Sequence, residues 1–262
     1  MYNLSIVSCV NDFKKYDQCV RSSFRNSGVS QTVELLPIDN SGNRYSIPQA
    51  LNAGIEKASA DIIICCHQDV IFPEKWTDAL LEQITIVEQR EKNWGVLGTF
   101  GVTFNGMFAG HIIDPSGHSH CLPLPAKVQS LDEHCLIIKK DSDLAFDENI
   151  GGFHLYGADI CLEAMAKGLT NFAIDACVQH LSPGKADDNF TEAVDKLYQK
   201  WRNKKSPLAV IETTCKMCRL QGGLKGMIAY RIVRYKRKQK RKKVKEMLKK
   251  GTDFTKLRHD SI

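Results

Sequence analysis

No purely apolar run in this 262-residue chain is longer than the five residues Ile62 to Cys66, and a membrane-spanning helix needs about 20. A single-helix crossing of a bilayer is therefore excluded by the sequence. The opening residues, MYNLSIVSCV, have no basic stretch ahead of their apolar positions and no small-residue cleavage pattern, so no signal peptide is expected and a cytosolic location is. Internal repeats are absent. At 43% hydrophobic and 25% charged residues, the chain is neither disordered nor collagen-like, and its length suits one large domain or a domain with an appendage. Ten cysteines would permit disulfides in a secreted protein. In the cytosol they stay reduced, and Cys9, Cys65, Cys66, Cys135, Cys161 and Cys177 sit in apolar segments as expected core residues.

Charge is divided unevenly. Residues 1–218 hold 20 Lys and Arg against 27 Asp and Glu, net −7, whereas 219–262 hold 16 against 3, net +13. Two parts with separate roles are expected: an acidic domain over 1–218 and a basic amphipathic helical tail over 219–262.

Along the first part, apolar runs alternate with amphipathic stretches. Strands are expected at Leu4–Cys9, Thr32–Ile38 and Ile62–Cys66, with a polar helical stretch over 12–26 and a helix opened by Ser46 and Pro48. Strand ends fall about 30 residues apart, the size of a βαβ unit, so a mostly parallel, doubly wound α/β sheet follows. A helix is expected after Pro73 to about Arg90, and a strand at Trp94–Phe100. The Gly-, Pro- and His-rich residues 101–130 read as a loop-rich insertion. Further on, His134–Lys140 reads as a strand, Tyr156–Lys167 as a helix stopped by Gly168, and Asn171–Val178 as a strand.

Ligands of open α/β sheets bind outside the carboxyl ends of the strands. There the sequence places Asn11, then Asp39-Asn40-Ser41, then His67-Gln68-Asp69. Each set also suits an ordinary turn. Asp69 fits that plain explanation least, because it stands between a buried strand and the apolar run Val70-Ile71-Phe72.

The segment from Asn52 to Asp69 (NAGIEKASADIIICCHQD) resembles the central motif of GT-A glycosyltransferases of the family 2 type, in which a strand leads into an Asp-x-Asp loop. The likeness continues in order through Phe146-Asp147-Glu148, Gly157-Ala158-Asp159-Ile160-Cys161-Leu162 and His180-Leu181-Ser182, and spans about residues 3–190. It implies a GT-A-type, Rossmann-like fold and transfer of a sugar, with inversion, from a nucleotide-sugar donor, UDP-linked by expectation. The acceptor would be a surface glycan or a lipid-linked molecule, as in polysaccharide biosynthesis. A diphosphate leaving group gains charge as its bond breaks, and a divalent cation stabilises it. The resemblance makes Asp69 and His180 the ligands of Mn²⁺ or Mg²⁺. It also gives Asp39 the donor base or ribose, and Asn11 joins it as a donor-binding residue. His67 replaces the first Asp of the family loop; its imidazole can join the metal or the donor and tilts the choice toward Mn²⁺. The family takes its general base from an acidic pair near a helix start, where this chain has Ala158-Asp159, so Asp159 becomes the base. By looser analogy Asp132 and His154 face the acceptor.

His111, His118, His120 and Cys121 match no common zinc spacing and read as a solvated loop over the acceptor. In the tail, Leu220, Leu224, Met227, Ile228, Ile232 and Tyr235 recur at helical spacing, and residues 236–243 carry seven positive charges in eight. Such a helix suits an anionic membrane surface, giving a peripheral position on the inner face of the membrane, whereas nucleic acid is disfavoured because no reading module is present. Three rival readings remain at this point: a sugar-nucleotide-binding protein, a nucleic-acid-binding protein without transferase activity, and a sugar-phosphate nucleotidyltransferase. The last expects a Gly-rich basic loop where this chain has Ser8-Cys9-Val10-Asn11-Asp12.

Overall fold

The computed structural model describes residues 4–26, 33–121, 123–150, 152–183, 188–204 and 206–249. Strand β1 (Leu4–Val10) lies between β2 (Val33–Asp39) and β3 (Ile62–Cys66), parallel to both, with Val10 opposite Asp39 and Val7 opposite Cys65. The chain passes from β1 to β2 through α1 (Phe13–Tyr16), a π-helical turn (Asp17–Arg21) and α2 (Ser22–Asn26). It returns through α3 (Ile47–Lys57), whose start is fixed by a capping box: Ser46 N–H donates to Gln49 Oε1 at 2.9 Å and Gln49 N–H to Ser46 Oγ at 3.4 Å.

After β3 come β4 (Val70–Ile71), α4 (Trp76–Arg90), β5 (Trp94–Gly98), β6 (Phe100–Thr103), β7 (Phe108–Asp114), β8 (Gly117–Cys121), β9 (Ala126–Leu131) and β10 (Cys135–Lys139). Then follow α5 (Tyr156–Ala166), β11 (Thr170–Ala173), β12 (Val178–His180), α6 (Asp188–Asn203), β13 (Val210–Glu212), β14 (Met217–Arg219) and α7 (Gly223–Lys249). The large sheet runs β2-β1-β3-β10-β5-β11-β9-β6-β7-β12-β4, with β8 on β7. It is a mixed α/β sheet, parallel through β2-β1-β3 and β5-β11, with β10 inserted antiparallel between β3 and β5.

Two expectations are corrected here. Residues 101–130 are not a loop-rich insertion but four antiparallel strands: Gly101 and Gly110 are paired within β6 and β7, and Gly106 and Gly117 serve the turns. Gly106 takes φ +77° between β6 and β7, and Gly117 takes φ +125° where β7 turns into β8. The strand expected over 171–178 is two, β11 and β12, interrupted where the Asp175 N–H turns aside to donate to Gln83 Oε1 at 3.1 Å.

Alternation along the strands builds two core layers. Leu4, Ile6 and Ile64 pack toward Trp76, Leu80 and Ile84 of α4, while Val7, Ile63 and Cys65 pack toward Ala50 and Leu51 of α3 and Ile160 of α5. Gly54 lets α3 approach β1 closely, since a Cβ there would fall 2.1 Å from Val7 Cγ1. A third cluster joins Ala158 and Leu162 of α5 to Leu197 and Trp201 of α6, Ile211 of β13 and Leu220. Leu220 is thus buried and does not belong to the exposed stripe of the tail. That stripe consists of Leu224, Met227, Ile228, Ile232 and Tyr235 on α7, all exposed. Residues 250–262 of the tail lie outside the described residues, as do the side chains of Val244, Met247 and Leu248.

Candidate active site

The carboxyl ends of β2, β1 and β3 lie side by side, and neighbouring strands are about 4.8 Å apart. Asp39 therefore stands two strands, about 10 Å, from the loop after β3, roughly the span of a nucleoside. Its exposed Oδ1 accepts from Ser41 N–H at 2.9 Å and Ser41 Oγ at 2.7 Å, which holds the carboxyl below its ordinary range. Gln68 ties the strand ends together: its Oε1 accepts from the backbone N–H groups of Asn11 and Asp12 at 3.1 and 3.0 Å, and its Nε2 donates to Asn11 Oδ1 at 2.6 Å. Asn11 thus helps to build the floor of this edge.

Beside it, β12 pairs antiparallel with β4, His180 opposite Val70. This register delivers His180 to Asp69: the Leu181 N–H donates to the Asp69 carbonyl at 3.1 Å, and His180 Nε2 stands 3.4 Å from Asp69 Oδ1. Ser182 Oγ donates to Asp69 Oδ2. His67 Nδ1 lies 3.2 Å from His180 Nε2, so one ligand atom from each of His67, Asp69 and His180 falls within 4.8 Å of the others. Residues far apart in the sequence meet here.

The electrostatics favour a cation. Burial alone would raise the Asp69 carboxyl, but hydrogen bonds from His180 and Ser182 and the nearby imidazoles outweigh it and keep it well below the usual carboxylate range. His67 is pressed down to about 4, first by burial and then by His180, so its ring stays neutral near pH 7. One ionised carboxylate and the imidazoles of His67 and His180 form a nitrogen-rich set that fits a divalent transition-metal ion better than Mg²⁺, which prefers oxygen.

His134, which the sequence did not single out, lies next to the cluster, and Asp132 is drawn to it instead of to an acceptor. The fully buried His134 immediately precedes β10 next to His67, whose N–H donates to the His134 carbonyl at 3.1 Å. The His134 ring stacks on His180 with centroids 5.6 Å apart and is held by Thr99 Oγ1 at 2.5 Å and Asp132 Oδ1 at 2.9 Å. Asp132 in turn accepts from Thr214 Oγ1 at 2.9 Å, so its contacts are to His134 and Thr214. Tyr156, at the start of α5, places its Oη 2.9 Å from His67 Nε2.

Asp159 requires the main correction. The structure does not bring it to the cluster around Asp69. It is 1% exposed and turned toward α6, where Lys200 Nζ donates to Oδ2 at 2.7 Å and Trp201 Nε1 to Oδ1 at 2.8 Å. Both of its oxygens are occupied inside the protein, so the structure does not present Asp159 to the cluster. His154 is also apart from the cluster, its ring 5.2 Å from that of Phe190. Besides Asp159, a second carboxylate lies at the start of α5: that of Glu133, which accepts from the backbone N–H groups of Gly157 and Leu155. A Cβ on Gly157 would come within 3.0 Å of Glu133 Cγ, so the side chain missing at Gly157 leaves room for Glu133. Burial first, and the Asp132 charge second, raise the Glu133 carboxyl above its ordinary value.

Residues 5–179 match the model of a glycosyltransferase-like family. A Fuscovulum blasticum protein described as "ATP synthase subunits region ORF 6" is 30% identical over 206 residues, covering 76% of this chain and 83% of that protein. Among solved structures, the fold is similar to that of GalNAc-T7 with UDP, GalNAc and Mn²⁺, at a TM-score of 0.54 and 10% identity. The match covers 78% of this chain, which spans about half (49%) of the GalNAc-T7 chain. A looser likeness, TM-score 0.47 at 11% identity over 79% of this chain and 67% of the other, is to S. aureus TarS 1-349. The mixed sheet of the GT-A type and the family match over two thirds of the sequence agree: this chain belongs to the glycosyltransferase-like family, an enzyme family.

Proposed function

We propose that this protein transfers a sugar from a UDP-sugar donor to an acceptor hydroxyl, with inversion at the sugar carbon. The observation that carries the reading is the convergence of His67, Asp69 and His180 at the carboxyl edge of the sheet, with Asp39 about 10 Å along that edge. His67, Asp69 and His180 would hold a divalent cation, Mn²⁺ in preference to Mg²⁺, which would supply Lewis-acid stabilisation to the diphosphate leaving group. Asp39 accepts a hydrogen bond from the uracil or ribose. Tyr156 and Ser182 hold His67 and Asp69 in place. Glu133 takes the acceptor proton as the new bond forms, a role suited to a carboxylate whose proton affinity has been raised. His154, on the segment entering α5, lies on the acceptor side.

The acceptor fitting this chain is a glycan or lipid-linked molecule presented at an anionic membrane surface, on the cytoplasmic face, because α7 carries an exposed apolar stripe among basic residues. The test is UDP binding by calorimetry with and without Mn²⁺, followed by donor hydrolysis across a panel of UDP-sugars. Mn²⁺-dependent binding with turnover supports the transferase. Mn²⁺-dependent binding that leaves every donor intact would favour a sugar-nucleotide-binding protein, and metal-independent, salt-sensitive binding to polynucleotides would favour a nucleic-acid partner.

A further inference from the structure

Three of the chain's eight histidines fall within ten residues, His111, His118 and His120, and the hairpin β7–β8 brings them together. His111 is directly opposite His120 in the register, and His118 shares a face with His120 because side chains two apart on a strand point the same way. The rings stack, His111 on His120 at 4.4 Å and on His118 at 4.9 Å between centroids. The segment between β11 and β12 adds Asp175 and Cys177 from the other side.

The geometry is that of a ligand set around one point. His111 Nε2 is 2.7 Å from His118 Nε2, and Cys177 Sγ lies with ligand atoms of these two rings inside 4.8 Å. His111 Nδ1 is 2.5 Å from Asp175 Oδ1; with Nδ1–H donating to the carboxylate, the lone pair is left on Nε2, the atom beside His118 Nε2. A carboxylate behind an imidazole whose other nitrogen is free to ligate is the usual support of a metal-binding histidine. Asp175 Oδ2 also lies 3.7 Å from His120 Nε2, so the same carboxylate steadies the neighbouring ring. Three stacked imidazoles repel one another when protonated, and a cation bound at their nitrogens replaces that repulsion with attraction.

We propose that His111, His118 and Cys177 bind one Zn²⁺-class transition-metal ion, with Asp175 orienting His111. Two imidazoles and a thiolate are borderline to soft donors, which select Zn²⁺ or Co²⁺ over Mn²⁺ and Mg²⁺. The thiol gives up its proton to solvent as the metal–sulfur bond forms. The site differs from the cluster at Asp69 in residues and in donor chemistry, and it does not rest on the proposed transfer activity. Its consequence is mechanical: Cys177 immediately precedes β12, and β12 ends on His180, about 10 Å further along. A metal at Cys177 would anchor the strand that presents His180.

The experiment is titration of the full chain with Co²⁺, reading the thiolate-to-cobalt charge-transfer absorption, followed by displacement with Zn²⁺ and with Mn²⁺. The His180→Ala variant, which disables the other cluster, should retain the full band. Zn²⁺ should abolish it and an equal amount of Mn²⁺ should not. His118→Ala and Cys177→Ser should each lose the band, and Asp175→Asn should weaken Co²⁺ affinity about 10–100-fold. The proposal is overturned if the wild-type chain shows no band, if the band survives Cys177→Ser, or if His180→Ala removes it. Circular dichroism of each variant separates lost binding from lost folding.

Discussion

Lys200 and Asp159 form a buried ion pair, Nζ to Oδ2 at 2.7 Å, which joins α6 to α5 and removes Asp159 from solvent. The same ammonium reaches Asp147 at 2.9 Å and Glu163 at 2.8 Å. Burial raises the Asp159 carboxyl in spite of Lys200, while the three carboxylates raise the Lys200 ammonium in spite of its own burial. The pair stands because each charge would be costly alone. Lys200→Met should therefore destabilise the fold by about 3–5 kcal/mol, and adding Asp159→Asn should recover part of that loss. Urea midpoints at constant slope measure both.

The same geometry sets different expectations for Glu133 and Asp159. Glu133→Gln should lower turnover by about 10²-fold or more while leaving UDP binding intact, whereas Asp159→Asn should keep kcat within a few-fold in the folded fraction. A large loss of kcat in Asp159→Asn, with normal stability and UDP affinity, would return the base to Asp159 and imply that α6 moves during the reaction.

At the Asp69 cluster, Asp69→Asn and His180→Ala should each reduce the Mn²⁺-dependent part of UDP affinity at least tenfold, read by calorimetry at matched ionic strength. Acid sensitivity gives a second measure. His67 titrates at about 4 in the folded chain and near 6.5 when unfolded, so between those values the unfolded chain binds more protons. Stability is complete above about pH 6.5 and declines as pH falls toward 4, by about 2–3 kcal/mol. His67→Asn should flatten this segment of the stability profile, and unchanged curvature would show that His67 is not the group responsible.

Gly54 is a packing requirement of the nucleotide edge. A methyl group there meets Val7 Cγ1 at 2.1 Å, so α3 must shift away from β1. Gly54→Ala should cost about 1–3 kcal/mol despite its gain in helix propensity, and the double variant Gly54→Ala/Val7→Ala should be closer to additive cavity loss than to clash. Thermal unfolding of the three variants decides.

The motifs that were legible in the sequence are those in which local chemistry and long-range packing coincide. Ser46 reads as a helix cap and is one. Asn52 shows why distant segments can be recognised as one set: its Nδ2 donates to the Phe146 carbonyl and its Oδ1 accepts from Phe146 N–H, both at 2.9 Å. Asp69 stood out because a carboxylate between a buried strand and an apolar run needs a partner, whereas His180 was picked out only by the family resemblance. His134 and Glu133 were not, since their importance comes from β10 running antiparallel beside β3, which no local pattern encodes. The burial of Asp159 was hidden for the same reason: its place at a helix start is local, but the lysine that occupies it arrives 41 residues later. The histidines of β8 looked like loop residues because an exposed edge strand lacks apolar alternation, and only the pairing with β7 collects them.

Helix α7 poses the last test, because its two sides are chemically different. Arg237 faces the body, 3.6 Å from Glu212, and Lys240 donates to the Asn105 carbonyl. Arg231, Arg234, Lys236 and Lys238 are exposed, as are Leu224, Ile228 and Ile232 at one-turn spacing. Each exposed cation near an anionic leaflet contributes about 1 kcal/mol, and an acidic body with net −7 needs such an element to stay there. Nucleic acid would use the charges alone; a membrane interface also uses the apolar row. Removal of residues 223–262 spares the buried Leu220 and should abolish sedimentation with phosphatidylserine vesicles at low salt while leaving UDP-sugar hydrolysis in solution intact. Ile228→Ser with Ile232→Ser, every charge retained, should weaken vesicle binding about 10–100-fold, since each side chain loses about 1 kcal/mol or more of apolar burial. RNA binding unaffected by those two serines, in a chain that ignores vesicles, would assign the helix to phosphates instead of lipid.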